Sequence, residues 1–220
     1  MIKKIVFLFF LMFFLFSCYT HKIVLNSDNN SGTMIIEYQL DDDYFQLLSI
    51  AFSNFASDSQ DKFDPVVLID EELFRQSFKN SAYIRLKSVN INAVNGYKGK
   101  IVIDFTDLEK LLASMPKELV NLNFIKENGS ITLSQSISLK KMDPDGIFKD
   151  FIHQQKEDDI NFYNKLTKEA EFNFIIQSQS TIKKAEGVVI SKDKKNAYYN
   201  FKLNDIIVDD NKIFNFLISL

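Results

Sequence analysis

An α+β fold is predicted by three features of this chain. Apolar residues recur at helical spacing in two segments, others alternate strictly with polar residues, and Asn-Gly pairs join the alternating runs. Tyr44, Phe45, Leu47, Leu48, Ala51, Phe52 and Phe55 follow the 3.6-residue period of a buried helix face. So do Phe148, Phe151, Ile152, Phe162, Tyr163 and Leu166. Asn95-Gly96 and Asn128-Gly129 supply the positive φ angles that two-residue hairpin turns require. The expected architecture is a mostly antiparallel sheet of hairpins with several helices packed on it.

Taken in order, an apolar segment starts at Ile23, and Met34–Leu40 reads as a strand. The polar run 26–32 between them reads as a hairpin loop. Asp41, Asp42 and Asp43 place negative charge at the start of the first helix, where the helix dipole favours it. Asp64-Pro65 breaks the chain, and 71–79 suggests a second short helix with Leu73, Phe74 and Phe78 inward. Tyr83–Val94 alternates with one slip, which reads as a β-bulge. After the turn at Asn95-Gly96 the chain returns through Ile101, Ile103 and Phe105. Thr106-Asp107 can cap a helix running to Met115, where Pro116 ends it. Leu119–Lys126 and Ile131–Leu139 form the next hairpin. Asp143-Pro144-Asp145-Gly146 punctuates before the long amphipathic helix. Residues 172–177, 188–191 and 197–207 read as three more strands, and Ile213–Leu220 as strand or helix.

The first eighteen residues form a separate unit. Lys3 and Lys4 precede twelve apolar residues, Ile5 to Phe16, then Ser17 and Cys18, the only cysteine of the chain. A charged start, a short apolar run and a small residue at the cut describe a cleavable secretion signal. In helix the run covers roughly 18 Å, short for a bilayer core of about 30 Å. The expected division is a signal at 1–17, a lipidated cysteine with a short tether at 18–22, and one domain at 23–220.

Composition sets further bounds. There are 26 basic and 29 acidic side chains, and without Lys3 and Lys4 the balance is 24 to 29, a net charge of −5. That balance argues against broad capture of nucleic acid and against anionic lipid as the main holding force. With Cys18 consumed by lipid, no disulfide, thiolate chemistry or cysteine metal site remains. The chain has 22 Phe and no Trp, so apolar packing must supply stability.

Leu15-Phe16-Ser17-Cys18 resembles the lipobox of bacterial lipoproteins, in the relaxed form seen in spirochaetes. The resemblance implies that Cys18 takes a diacylglyceryl group on sulfur, becomes the mature N-terminus and is acylated there. Two or more chains, at about 0.8 kcal/mol per buried CH₂, hold stably where one does not. The order of hairpins and helices, with Gly96-Tyr97-Lys98-Gly99 and the run Gly187–Asp205, is similar to LppM-type bacterial lipoprotein domains. That resemblance implies an envelope lipoprotein whose sheet and helices cradle an apolar ligand, and it carries over no catalytic residue. The family's tryptophan before the last strand and its C-terminal transmembrane helix are absent here.

Chemistry-bearing motifs are sparse. Of the two histidines, His21 lies beside the anchor and is expected at the surface or among lipid headgroups. His153 falls on the polar side of the long helix. A Ser-His-Asp hydrolase would need a serine on a tight elbow beside His153, and no Gly-x-Ser-x-Gly occurs. Asp41–Asp43 reads as a helix start before a cation site, and Asp143–Gly146 lacks the ligand spacing of an EF-hand. No phosphate loop, zinc spacing or dinucleotide fingerprint is present, and no cofactor, metal or catalytic residue is expected. The lysine clusters at 140–141, 183–184 and 192–195 read as solvated turns protecting strand ends. Phe52, Phe148, Phe151 and Phe162 are expected in the core, or lining an apolar pocket for an acyl chain.

These features point to a non-enzymatic envelope lipoprotein, tethered to the membrane through lipid on Cys18, that binds or scaffolds other envelope proteins. A carrier or sensor of a hydrophobic or lipid ligand is the second reading, and an envelope hydrolase the third. The short tether favours the periplasmic side over the cell surface.

Overall fold

The computed structural model describes residues 18–40, 75–76, 78–92, 97–115, 122–127, 130–137, 170–202, 204–205 and 213–220. Among them the predicted α+β class is corrected. Strands hold 63% of the residues and helical turns 10%, in two mostly antiparallel sheets. The helices expected at 44–55 and 148–166 lie outside the described residues. So do most of the helix expected at 71–79, of which 75, 76 and 78 are helical and Phe78 is buried.

The larger sheet contains β1 (Cys18–Leu25), β2 (Gly32–Leu40), β3 (Ile84–Asn92), β4 (Tyr97–Phe105), β7 (Glu171–Ser178), β9 (Val189–Ile190) and β10 (Asn196–Lys202). Its order is β3-β4-β2-β1-β7-β10-β9. All neighbours are antiparallel except β1 and β7, which pair in parallel at its centre. The smaller sheet has the order β5-β6-β11-β8, from β5 (Asn123–Glu127), β6 (Ser130–Ile137), β8 (Lys184–Glu186) and β11 (Phe214–Ser219). The C-terminal segment is therefore strand, the first of its two predicted alternatives.

Local sequence accounts for the hairpins. The β1–β2 loop closes with Asn26 N–H donating to the Ser31 carbonyl at 2.9 Å. The Asp28 carboxylate accepts from the N–H groups of Asn30 and Ser31, each at 3.0 Å, and these bonds hold its pKa below the usual range. Asn29 takes the left-handed conformation that asparagine tolerates. The slip in β3 is a bulge between Leu86 and Ser88, so Leu86 faces the core while Lys87 reaches Asp104 on the other side. Tyr97, Lys98 and Gly99 lie within β4 rather than before a strand. The predicted cap also forms. Asp107 accepts from Lys110 N–H at 3.1 Å and starts α1 (Leu108–Ser114), which buries Leu108, Leu111 and Leu112 on one face.

The core lies between the sheets. Inward positions of the larger sheet include Ile23, Leu25, Met34, Leu40, Ile103 and Ile176, all essentially solvent-free. An aromatic seam joins the sheets: Phe174 stacks on Phe216 at 4.8 Å, Phe172 on Phe201 at 4.9 Å, and Tyr199 and Phe201 meet Phe216 and Phe214. The buried Tyr38 ring fills the space over its cross-strand neighbour Gly99, where any side chain would stand. Gly99→Val should therefore destabilise the fold by about 1–3 kcal/mol through overpacking, read as a lower urea midpoint at unchanged m-value. An unchanged midpoint would show that the ring yields freely.

Strand replaces expected irregular or helical chain for a physical reason. The segments at 18–25 and 214–219 carry β-branched and aromatic residues that suit a pleated surface, whereas 184–186, Lys-Ala-Glu, is strand through its pairing with β11. Each finds its partner far away in sequence: β1 beside β7, and β11 between β6 and β8. Periodicity within a segment does not register such partners.

Candidate functional site

Alternation along β1 decides what surrounds Cys18. Tyr19, His21, Ile23 and Leu25 point into the core, while Cys18, Thr20, Lys22 and Val24 point to the opposite face. Cys18 is exposed. Residues 18–22, expected as a tether, lie within β1 and pair with β2 on one side and β7 on the other. Across the sheet, the row of Cys18 contains Gln39, Lys98 and Asn92 in one direction, and Glu171 and Lys202 in the other.

Beside Cys18 the sheet surface sinks into a depression of about 450 Å³. Its polar lining comes from Thr20, Glu37, Gln39, Asn90, Lys98 and Lys100. Lys100 and Glu37 pair at 2.6 Å. Amide groups and a lysine can hydrogen-bond phosphate or hydroxyl groups in such a recess. Along the same face Asp104 accepts from Arg85 and from Thr33, each at 2.9 Å, and these partners with Lys87 overcome partial burial to lower its pKa. None of the outward-facing positions of the larger sheet is buried.

His21 departs from its expected place. It is 4% exposed, in the inward row, with its ring edge-on to Phe174 at 5.1 Å. Burial pushes its pKa down to about 3, so the imidazole is neutral, and among the described residues Nε2 has no hydrogen-bond partner. The signal that could have placed it was its parity: His21 shares the odd-numbered face with Ile23 and Leu25. The hydroxyl of Tyr199, two strands away in the same row, is also without a hydrogen-bond partner among the described residues, and burial raises its pKa.

Phe52, Phe148, Phe151 and Phe162, the expected pocket, lie outside the described residues, as do His153, the Asp41–Asp43 run, Asp143–Gly146 and Lys140-Lys141. The structure brings together a different aromatic set, on β7, β10 and β11. Lys183, Lys184, Lys192, Lys194 and Lys195 are exposed on or beside turns, in line with the solvated reading. Among the described residues no group of three or more His, Cys, Asp or Glu side chains could hold a metal, and no helix is long and apolar enough to cross a membrane.

No known family model matches the chain, and no curated protein or solved structure is similar to it.

Proposed function

We propose that the chain is a bacterial envelope lipoprotein, held by acyl chains on Cys18, with a non-enzymatic role in binding or scaffolding other envelope components. The observation that carries this reading is the placement of Cys18. It follows the apolar run at 5–16 and Ser17, and it is the exposed first residue of β1, open to a modifying enzyme. Cleavage before Cys18 leaves all eight residues of β1 in place. The mature body then begins at the anchor itself and rides at the membrane, on the periplasmic side in this reading. Among the described residues the smaller sheet ends in β5, with Ile125 half exposed, and in the short β8, edges of the kind that offer backbone groups to a partner strand.

Metabolic labelling tests the anchor. Cells expressing the full chain and fed an alkynyl palmitate should incorporate the label, and cells expressing Cys18→Ser should not. The wild-type N-terminal peptide should begin at Cys18 and carry the added diacylglyceryl mass. A wild-type chain with an unmodified Cys18 thiol would rule the reading out.

A further inference from the structure

We infer that the outward face of the seven-stranded sheet lies flat on an anionic lipid surface, with Cys18 delivering its acyl chains from that face. The inference rests on the lipoprotein reading and adds an orientation and a lipid class to it.

Position comes first. Cys18 sits on β1, the central strand of the sheet order, and its side chain projects from the outward face. Because β1 starts at residue 18, no spacer separates anchor from fold. With the face lying flat, its charges come within about one Debye length, roughly 8–10 Å, of the headgroups.

Charge comes second. The outward positions carry six basic residues, Lys22, Arg85, Lys87, Lys98, Lys100 and Lys202, against three acidic ones, Glu37, Asp104 and Glu171. The face is thus +3 in a chain whose net charge is −3. Asp104 is shared by Arg85 at 2.9 Å and Lys87 at 3.9 Å, and Glu37 is taken by Lys100. Among the described residues Lys22, Lys98 and Lys202 have no ion-pair partner. Lys98 and Lys202 are four strand spacings apart, roughly 19 Å, and Lys22 lies roughly 13 Å from their row. Three cations so spaced define a plane.

The third observation is apolar. One row across the same face holds Val102, Ile35, Ile175, Tyr198 and Val189, with the stem of Lys22 among them. At its rim Tyr198 is 43% exposed and Val189 71%. An amphipathic aromatic and aliphatic groups flanked by lysines suit the headgroup boundary, where lysine stems lie on apolar surface and their ammonium groups meet phosphate. An upright molecule, standing on the Cys18 row alone, would bring Lys98 and Lys202 to the lipid and leave Lys22 and Tyr198 in water.

Lysine labelling distinguishes these states. The purified full chain is reconstituted in vesicles of phosphatidylcholine with phosphatidylglycerol, and in vesicles of phosphatidylcholine alone. Each is treated with a membrane-impermeant acylating reagent and mapped by peptide mass. Labelling of Lys22, Lys98 and Lys202 should fall roughly fivefold on the anionic vesicles. Lys126 and Lys184, on the smaller sheet, should label equally on both. The same digests read Lys87 and Lys100, which lie on the same face; their protection on anionic vesicles should be lost in the combined variant Lys22→Glu, Lys98→Glu, Lys202→Glu, its fold checked by circular dichroism. Equal labelling on the two vesicle types overturns the inference, and protection of Lys98 and Lys202 without Lys22 overturns it in favour of the upright state. The same digests report the mass on Cys18. An unmodified thiol with Lys22 protected removes the anchor and keeps the face, whereas an acylated thiol with uniform labelling keeps the anchor and removes the face.

Discussion

Phe216→Ala is expected to cost about 3–5 kcal/mol of stability, the range for deleting a large buried aromatic. Phe216 is 3% exposed on β11, and its ring meets Phe174 of β7 at 4.8 Å and Tyr199 of β10 at 4.9 Å. It is therefore a contact through which the smaller sheet holds the larger. Truncation removes the transfer free energy of the ring and leaves a cavity that two hydrogen-bonded sheets cannot collapse to fill. Urea unfolding followed by tyrosine fluorescence reads the change in midpoint. Ile125→Ala, on β5 and 50% exposed, is the matched control and should stay within about 0.5 kcal/mol of wild type. If Phe216→Ala behaved like the control, the two sheets would not share one core.

The second large effect is a loss of stability in mild acid caused by His21. Burial holds its folded-state pKa at about 3, against an ordinary 6.5. Below about pH 6.5 the unfolded chain takes up a proton that the folded chain refuses. Stability should therefore be level above that pH and decline by about 1.4 kcal/mol per unit below it, down towards the folded value. Between pH 7 and pH 5 the expected loss is about 2 kcal/mol. Asp28, Asp104 and Asp193 have lowered pKa values. Their contributions are complete above the ordinary carboxylate range and are lost only as pH falls through it, so among these groups the interval from 5 to 7 isolates His21. His21→Leu, apolar and of similar volume among Ile36 and Phe174, should unfold at the same urea concentration at both pH values. An equal pH dependence in the variant and the wild type would place the titrating group elsewhere.

Much of the strand pattern was legible because it is written locally. The bulge in β3 showed as a slip of alternation at Ser88, and the β1–β2 turn as the polar run 26–32. The cap of α1 showed as Asp107 ahead of Leu108, Leu111 and Leu112. Each depends on residues a few positions apart, where side-chain direction and turn chemistry act directly. The proposal for Cys18 rests on a local pattern of the same kind, a short apolar run followed by a small residue and a cysteine. The fold class was not. Phenylalanine and isoleucine serve a helix face and a pleated sheet alike, so runs of them leave the count of sheets open.

By itself, then, the sequence carried the lipobox-like start, most of the hairpins and the inward or outward parity of the strands it made legible. His21 shows the limit of reading even that. Its parity was in the sequence, but its chemical type argued for the surface, and burial follows from the sheet closing over that face. Only the tertiary structure decided that β1 starts at Cys18 and pairs in parallel with β7, about 150 residues on, since parallel neighbours need long crossovers. Only it gathered Lys22, Lys98 and Lys202 onto the face of Cys18 and sent Phe174, Tyr199 and Phe216 to one seam. The reason is physical: parity is a property of one strand, whereas a face is made by register between strands, and register is set by contacts between residues remote in the chain.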